Sequence, residues 1–122
     1  MPLTLTTSRE LSERLKKAGV PQKSHFFWAI DGELMSPTDN FNQYISCSAY
    51  LAEELGEMLP EVITEGSYDY YLTTQKVGKW EVGYTNSFAS KEIMHKTFEA
   101  DNLTEAMGLL LEHLLLNGII NV

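Results

Sequence analysis

The closing segment from Asn102 to Gly118 limits the possible folds more than any other part of this chain. Asn102 with Glu105 three residues on has the form of a helix start, and Asn117-Gly118 has the form of a helix end. Between them Leu103, Ala106, Met107, Leu110, Leu111, Leu114 and Leu115 recur at helical spacing. Leu109 and Leu116 add a second apolar stripe, so only Glu112, His113 and the first turn are left for water. Such a helix needs cover on more than one side. Either a sheet and a neighbouring helix of the same chain supply it, or a second subunit does, with Leu109 and Leu116 as the face of a homodimer.

The remaining elements are shorter. Thr7 and Glu10 have the spacing of a capping box, Leu11, Leu15 and Ala18 share a face behind them, and Gly19 and Pro21 stop that first helix. His25 to Ile30, the turn pair Asp31-Gly32 and Glu33 to Met35 predict a hairpin, followed by loop residues Ser36 to Asn42. A second helix is predicted from Ser48 as N-cap to Leu59, with Leu51, Leu55, Met58 and Leu59 inward and Pro60 just beyond. Tyr68 to Gln75 and Lys79 to Thr85 form a second hairpin around Lys76-Val77-Gly78, with Trp80, Val82 and Tyr84 on one face. A last strand is expected over Lys96 to Glu99. The order αββαββ(β)α predicts one α+β domain over residues 1–122, with an antiparallel sheet of four or five strands packed with about three helices. A chain of 122 residues can bury a single core.

Charge is distributed unevenly along the chain. Residues 24–75 contain no Lys or Arg but nine acids: Asp31, Glu33, Asp39, Glu53, Glu54, Glu57, Glu61, Glu65 and Asp69. Residues 1–23 carry +3 and residues 76–122 carry −2, giving the net −8. A field of one sign repels phosphate, which argues against direct nucleic-acid binding and for a basic protein partner. Glu53, Glu54 and Glu57 fall on the outer face of the second helix, and Glu61 and Glu65 extend the patch past its end. These five are the partner-binding candidates. Against that stands the plainer reading of a solvated helix face that keeps the chain soluble.

Catalytic equipment is not visible. His25, His95 and His113 have no other ligand at metal-binding spacing, the lone Cys47 has no family-type surroundings, and no glycine-rich phosphate loop is present. No cofactor and no metal are therefore expected. Tyr68, Tyr70, Tyr71, Trp80 and Tyr84 could form a stacking platform for bases, but only Lys76 and Lys79 lie close by, and core packing is the better use of these rings. With no leader-like start, no membrane-spanning run and one cysteine, a cytoplasmic location is expected.

Ala52-Glu53-Glu54-Leu55-Gly56-Glu57-Met58-Leu59-Pro60-Glu61, the hairpin from Tyr71 through Trp80-Glu81-Val82-Gly83-Tyr84, and Phe98 through Ala106 to Asn117-Gly118 together carry a resemblance. The chain resembles a family of small proteins of phages, prophages and mobile elements of gut bacteria. In that family an acidic E-L-x-E-x-L-P helix, a W-x-V-x-Y strand and a closing helix ending in N-G follow one another. Leu11 to Leu15 and Gly19 fit as well. Where family members often have Ala-Pro-Thr before the acidic helix, this chain has Ala49-Tyr50-Leu51. The resemblance implies an accessory protein and brings no catalytic residues. The first expectation is thus a non-enzymatic interaction protein. The alternatives are an acidic nucleic-acid mimic that inhibits a host nuclease or DNA-binding protein, and a small hydrolase or transferase whose site is assembled from distant residues.

Overall fold

The apolar closing helix sits in the larger of two cores. The computed structural model describes residues 6–36, 45–86 and 93–122. Among them are three helices, α1 (Arg9–Lys17), α2 (Ala52–Met58) and α3 (Leu103–Leu116). Strands β1 (Phe26–Ala29), β2 (Leu34–Met35) and β3 (Ile45–Ala49) form a sheet in the order β2-β1-β3. A second sheet, β4-β5-β6-β7, comprises β4 (Val62–Glu65), β5 (Tyr68–Val77), β6 (Lys79–Thr85) and β7 (Ile93–Ala100). Every described pairing of these strands is antiparallel. The architecture is α+β with three helices, and the strands divide between two sheets.

The four-stranded sheet turns one face to α3, which packs on β6 and β7 with α2 alongside. Val82 and Tyr84 are buried on that face and Trp80 is half-buried, as their two-residue spacing requires. They join Leu55, Leu59, Leu110, Leu111 and Leu114 in the large core. The smaller core collects Phe26, Trp28, Cys47 and Ala49 of the three-stranded sheet. Both expected hairpins form, with Trp28 opposite Leu34 in the first and Thr74 opposite Val82 in the second.

α1 lies between the two layers and runs beside α3 in the same direction. Three contacts define the crossing. Glu105 accepts hydrogen bonds from the backbone N–H of Ser8 (2.9 Å) and from its hydroxyl (2.6 Å). One turn on, Gly108 of α3 faces Leu11 so closely that a Cβ there would stand 2.7 Å from Leu11 Cδ2 and 3.1 Å from Thr7 Cγ2. A further turn on, Arg14 clasps Glu112 through Nε (2.8 Å) and a terminal nitrogen (3.1 Å). From its other side α1 holds the small sheet: Arg9 donates to Ile30 O (2.9 Å), Lys16 to Ser46 O (2.7 Å), and Trp28 Nε1 donates to Thr7 O (3.1 Å).

Several expected boundaries move. The N-cap of α1 is Ser8, not Thr7, because Ser8 Oγ accepts from Leu11 N while Thr7 is buried and bonded to Ser12 Oγ (2.7 Å) and Tyr50 N (3.1 Å). Ser48 does not open the second helix. It is buried in β3, and α2 begins at Ala52 after Leu51. β3 and β4 are strands not anticipated from sequence, and β7 is longer than the expected Lys96 to Glu99. Of the expected loop Ser36 to Asn42, all but Ser36 lies outside the described residues.

Gly108→Ala should lower stability despite the ~1 kcal/mol of helix propensity it adds, because overpacking a filled site costs ~1–3 kcal/mol. Urea unfolding should show a net loss, larger for Gly108→Val. A more stable alanine variant would mean that α1 and α3 separate freely at this point.

Candidate interaction face

The acidic helix is placed by Leu51, extended at the N-cap, and by Glu54. Glu54 Oε1 accepts from Leu51 N (2.8 Å), half of a capping box, and Oε2 accepts from His25 N (2.9 Å) at the entry to β1. Leu55 and Leu59 point into the large core and Met58 is half-buried, so Glu53 and Glu57 on the opposite side face water. Pro60 ends the turn, and its carbonyl accepts from the buried Tyr84 hydroxyl at 2.6 Å. Glu61 then enters the sheet through a 3.0 Å bond from Leu72 N to its carbonyl. Glu61, just before β4, and Glu65, its last residue, are both exposed.

The five acids therefore differ in role. Glu53 and Glu57 on α2 and Glu61 and Glu65 in the segment that follows are each exposed, while Glu54 is half-buried and ties α2 to β1. The ion pairs found among the described residues are Arg9–Glu13 (3.4 Å) and Arg14–Glu112 (2.8 Å). Neither involves Glu53, Glu57 or Glu61. A depression of about 220 Å³ lies at the inner margin of this face, lined by Pro21, Lys23, Tyr50, Glu54, Glu57 and Met58. Its lining mixes the carboxylates of Glu54 and Glu57, the ammonium of Lys23 and the apolar surface of Pro21, Tyr50 and Met58, along which the methylenes of a long side chain can lie.

Tyr50 is the most firmly held part of that lining. It is buried, its hydroxyl donates to Pro21 O (2.7 Å), and it accepts from Gln22 Nε2 (2.8 Å). Gln22 in turn accepts from Ser48 N (2.7 Å). Burial pushes the Tyr50 phenol from its ordinary 10.0 up to about 12 and raises that of Tyr84 as well.

The other sequence candidates lie apart. Cys47 is buried in the small core, where desolvation raises its thiol pKa and disfavours the nucleophilic thiolate. His25 is exposed, with its ring edge-on to Phe26 at 5.0 Å, and His113 lies on α3 near Phe98 at 5.2 Å. Among the described residues no three His, Cys, Asp or Glu side chains converge on a point where a metal ion could sit. The rings separate as well: Tyr70 and Tyr84 are buried, Trp80 is half-buried, and Tyr68 and Tyr71 are exposed. Leu109 is half-buried against the chain's own core, which leaves Leu116 the strongly exposed member of that pair at 69%. No described helix is long and apolar enough to cross a membrane.

What sequence reasoning missed is the double duty of Glu54 and the edge strand that follows α2. The three-residue step from Leu51 to Glu54 held a signal for the capping half of that duty, since an acid three residues after a helix start caps it. Compared with family models, curated proteins and solved structures, the chain matches none.

Two measurements probe this arrangement. Glu54→Ala should cost ~1–2 kcal/mol, because it strips the half-buried Leu51 N–H and the His25 N–H of their charged acceptor, whereas Glu53→Ala should stay within ~0.5 kcal/mol. Equal losses would mean that Glu54 is only surface charge. In the alkaline range the folded state favours the neutral Tyr50 phenol, so its contribution is whole below pH 10.0 and is lost as pH rises toward about 12. Tyr50→Phe should flatten that decline without removing it, since Tyr84 contributes in the same direction. Denaturant titrations across this window would show an unchanged slope if Tyr50 ionised freely.

Proposed function

We propose that this chain is a non-enzymatic interaction protein, an accessory factor of phage or mobile-element origin, that docks a basic protein partner on the acidic face from α2 to β4. The observation that carries the reading is the set Glu53, Glu57 and Glu61, exposed and outside the ion pairs of the described residues, with Glu57 also lining a depression. Such charges act chiefly by steering a partner of opposite sign to the surface. Direct nucleic-acid binding is disfavoured by the same charges. A cytoplasmic setting, where the lone Cys47 stays reduced, suits this role.

The test compares the wild type with a Glu53→Gln, Glu57→Gln, Glu61→Gln variant. That change moves the net charge from −8 to −5 and should leave stability within about 1 kcal/mol, since no described contact is lost. Each protein would be used to capture partners from expressing cells, and association rates with the captured protein would be measured at low and moderate salt. The expected result is a basic partner, an on-rate reduced roughly tenfold at low salt, and a gap that narrows as screening shortens from ~30 Å at 0.01 M to ~8 Å at 0.15 M. An unchanged on-rate in the well-folded variant would leave these acids as solvated surface.

A further inference from the structure

Following α2 in the chain, β4 is an edge strand of the four-stranded sheet as far as the described residues go. Among the described residues β4 pairs with β5 alone. The bond from Leu72 N to Glu61 O marks Glu61 and Leu72 as a hydrogen-bonded pair, and in an antiparallel ladder such pairs alternate with pairs whose backbone groups point away. With Ile63 opposite Tyr70 and Glu65 opposite Tyr68, the alternation aims the N–H and C=O of Ile63 and Glu65 at β5. Those of Val62 and Thr64 point outward. Side chains alternate too, so Glu61, Ile63 and Glu65 stand on one face of the strand and Val62 and Thr64 on the other. Val62 is 40% exposed and its cross-strand neighbour Tyr71 36%, an uncovered apolar pair next to the edge.

We infer that β4 receives an extended segment of a basic partner protein as a fifth strand, with two Lys or Arg residues four apart facing Glu61 and Glu65 and an apolar residue midway facing Ile63. This rests on the function proposed above and specifies how the partner is gripped: main-chain bonds to Val62 and Thr64 supply adhesion, and alternate side chains supply selection. Charge decides the occupant. In the two-fold antiparallel register that would set Val62 against Thr64 of a second copy, Glu61 faces Glu65 twice, and like charges directly opposite are destabilising. An edge carrying acids alone thus resists pairing with itself, as protected edges do, while a basic strand gains two opposite-charge pairs in the same positions.

The probe is a synthetic peptide of order Thr-Lys-Thr-Val-Thr-Lys-Thr, titrated into isotope-labelled protein and followed by amide NMR and hydrogen exchange. The expected result is a shift of the Val62 and Thr64 amides and at least a tenfold slowing of their exchange, with the Ile63 amide little changed. N-methylation of the two threonines flanking the valine should weaken binding at least tenfold, because their amides face β4. N-methylation of the valine, whose amide faces away, should not. Replacing both lysines by glutamate should abolish binding. A peptide that shifts Glu53 and Glu57 and ignores methylation would overturn strand addition while leaving the acidic docking face intact. Absence of binding would overturn strand addition as well, and the capture experiment would then judge the docking face separately. Concentration-dependent protection of Val62 and Thr64 without peptide would place a second copy on the edge and overturn the basic occupant.

Discussion

Glu105 belongs to α3 but completes the first turn of α1. Its carboxylate takes both the backbone N–H and the hydroxyl of Ser8, while its own N–H is capped by Asn102 at 2.8 Å. One carboxylate therefore stands at the N-termini of two helices that run in the same direction. This offsets the repulsion of two parallel helix dipoles, because negative charge is favourable at both starts. The constraint continues along the crossing. Gly108 admits Leu11, and Glu112 meets Arg14. These positions form one stripe on each helix, so the register of α1 on α3 is set by a cap, a missing side chain and an ion pair in succession.

The rest of the molecule follows from that register. α1 fixed against α3 presents Arg9, Thr7 and Lys16 to the small sheet, which is held by its turn, its tryptophan and its third strand. Thr7 N donates to Tyr50 O while Tyr50 N donates to the Thr7 hydroxyl, which sets where the chain leaves β3. α2 then starts two residues later, and Glu54 reaches back to His25. The acids of α2 and the β4 edge are thereby mounted on a packed frame. A preset surface of this kind loses little freedom on binding.

Local signals made part of this legible. Asn102 and Glu105 gave a true helix start, and the period of Trp80, Val82 and Tyr84 placed the buried face of β6, because in both places local preference and tertiary burial agree. They disagreed around Thr7, where the Thr7–Glu10 spacing imitates a capping box but the working carboxylate comes from Glu105, far along the chain. β3 was hidden because a strand pressed against α1 needs small residues, and Ser46, Cys47, Ser48 and Ala49 lack the branched and aromatic signature of a strand. Ser48 then looked like a helix cap. β4 was hidden for the opposite reason: an exposed four-residue edge strand has no burial pattern to display. The acids of the candidate face were plain from the charge count. Nothing local marked Glu54 as a tie to His25, because that contact exists only once β1 and α2 are brought together.

If the crossing of α1 on α3 joins the two sheets, the small sheet should not open without the large one. Native-state hydrogen exchange tests this most directly. The slowest amides of β3 and β6 should report the same opening free energy with the same dependence on denaturant, and Glu105→Ala should lower both equally. If β3 alone lost protection in that variant while β6 kept its full value, the sheets would be separate cooperative units and the crossing would not be what holds the fold together.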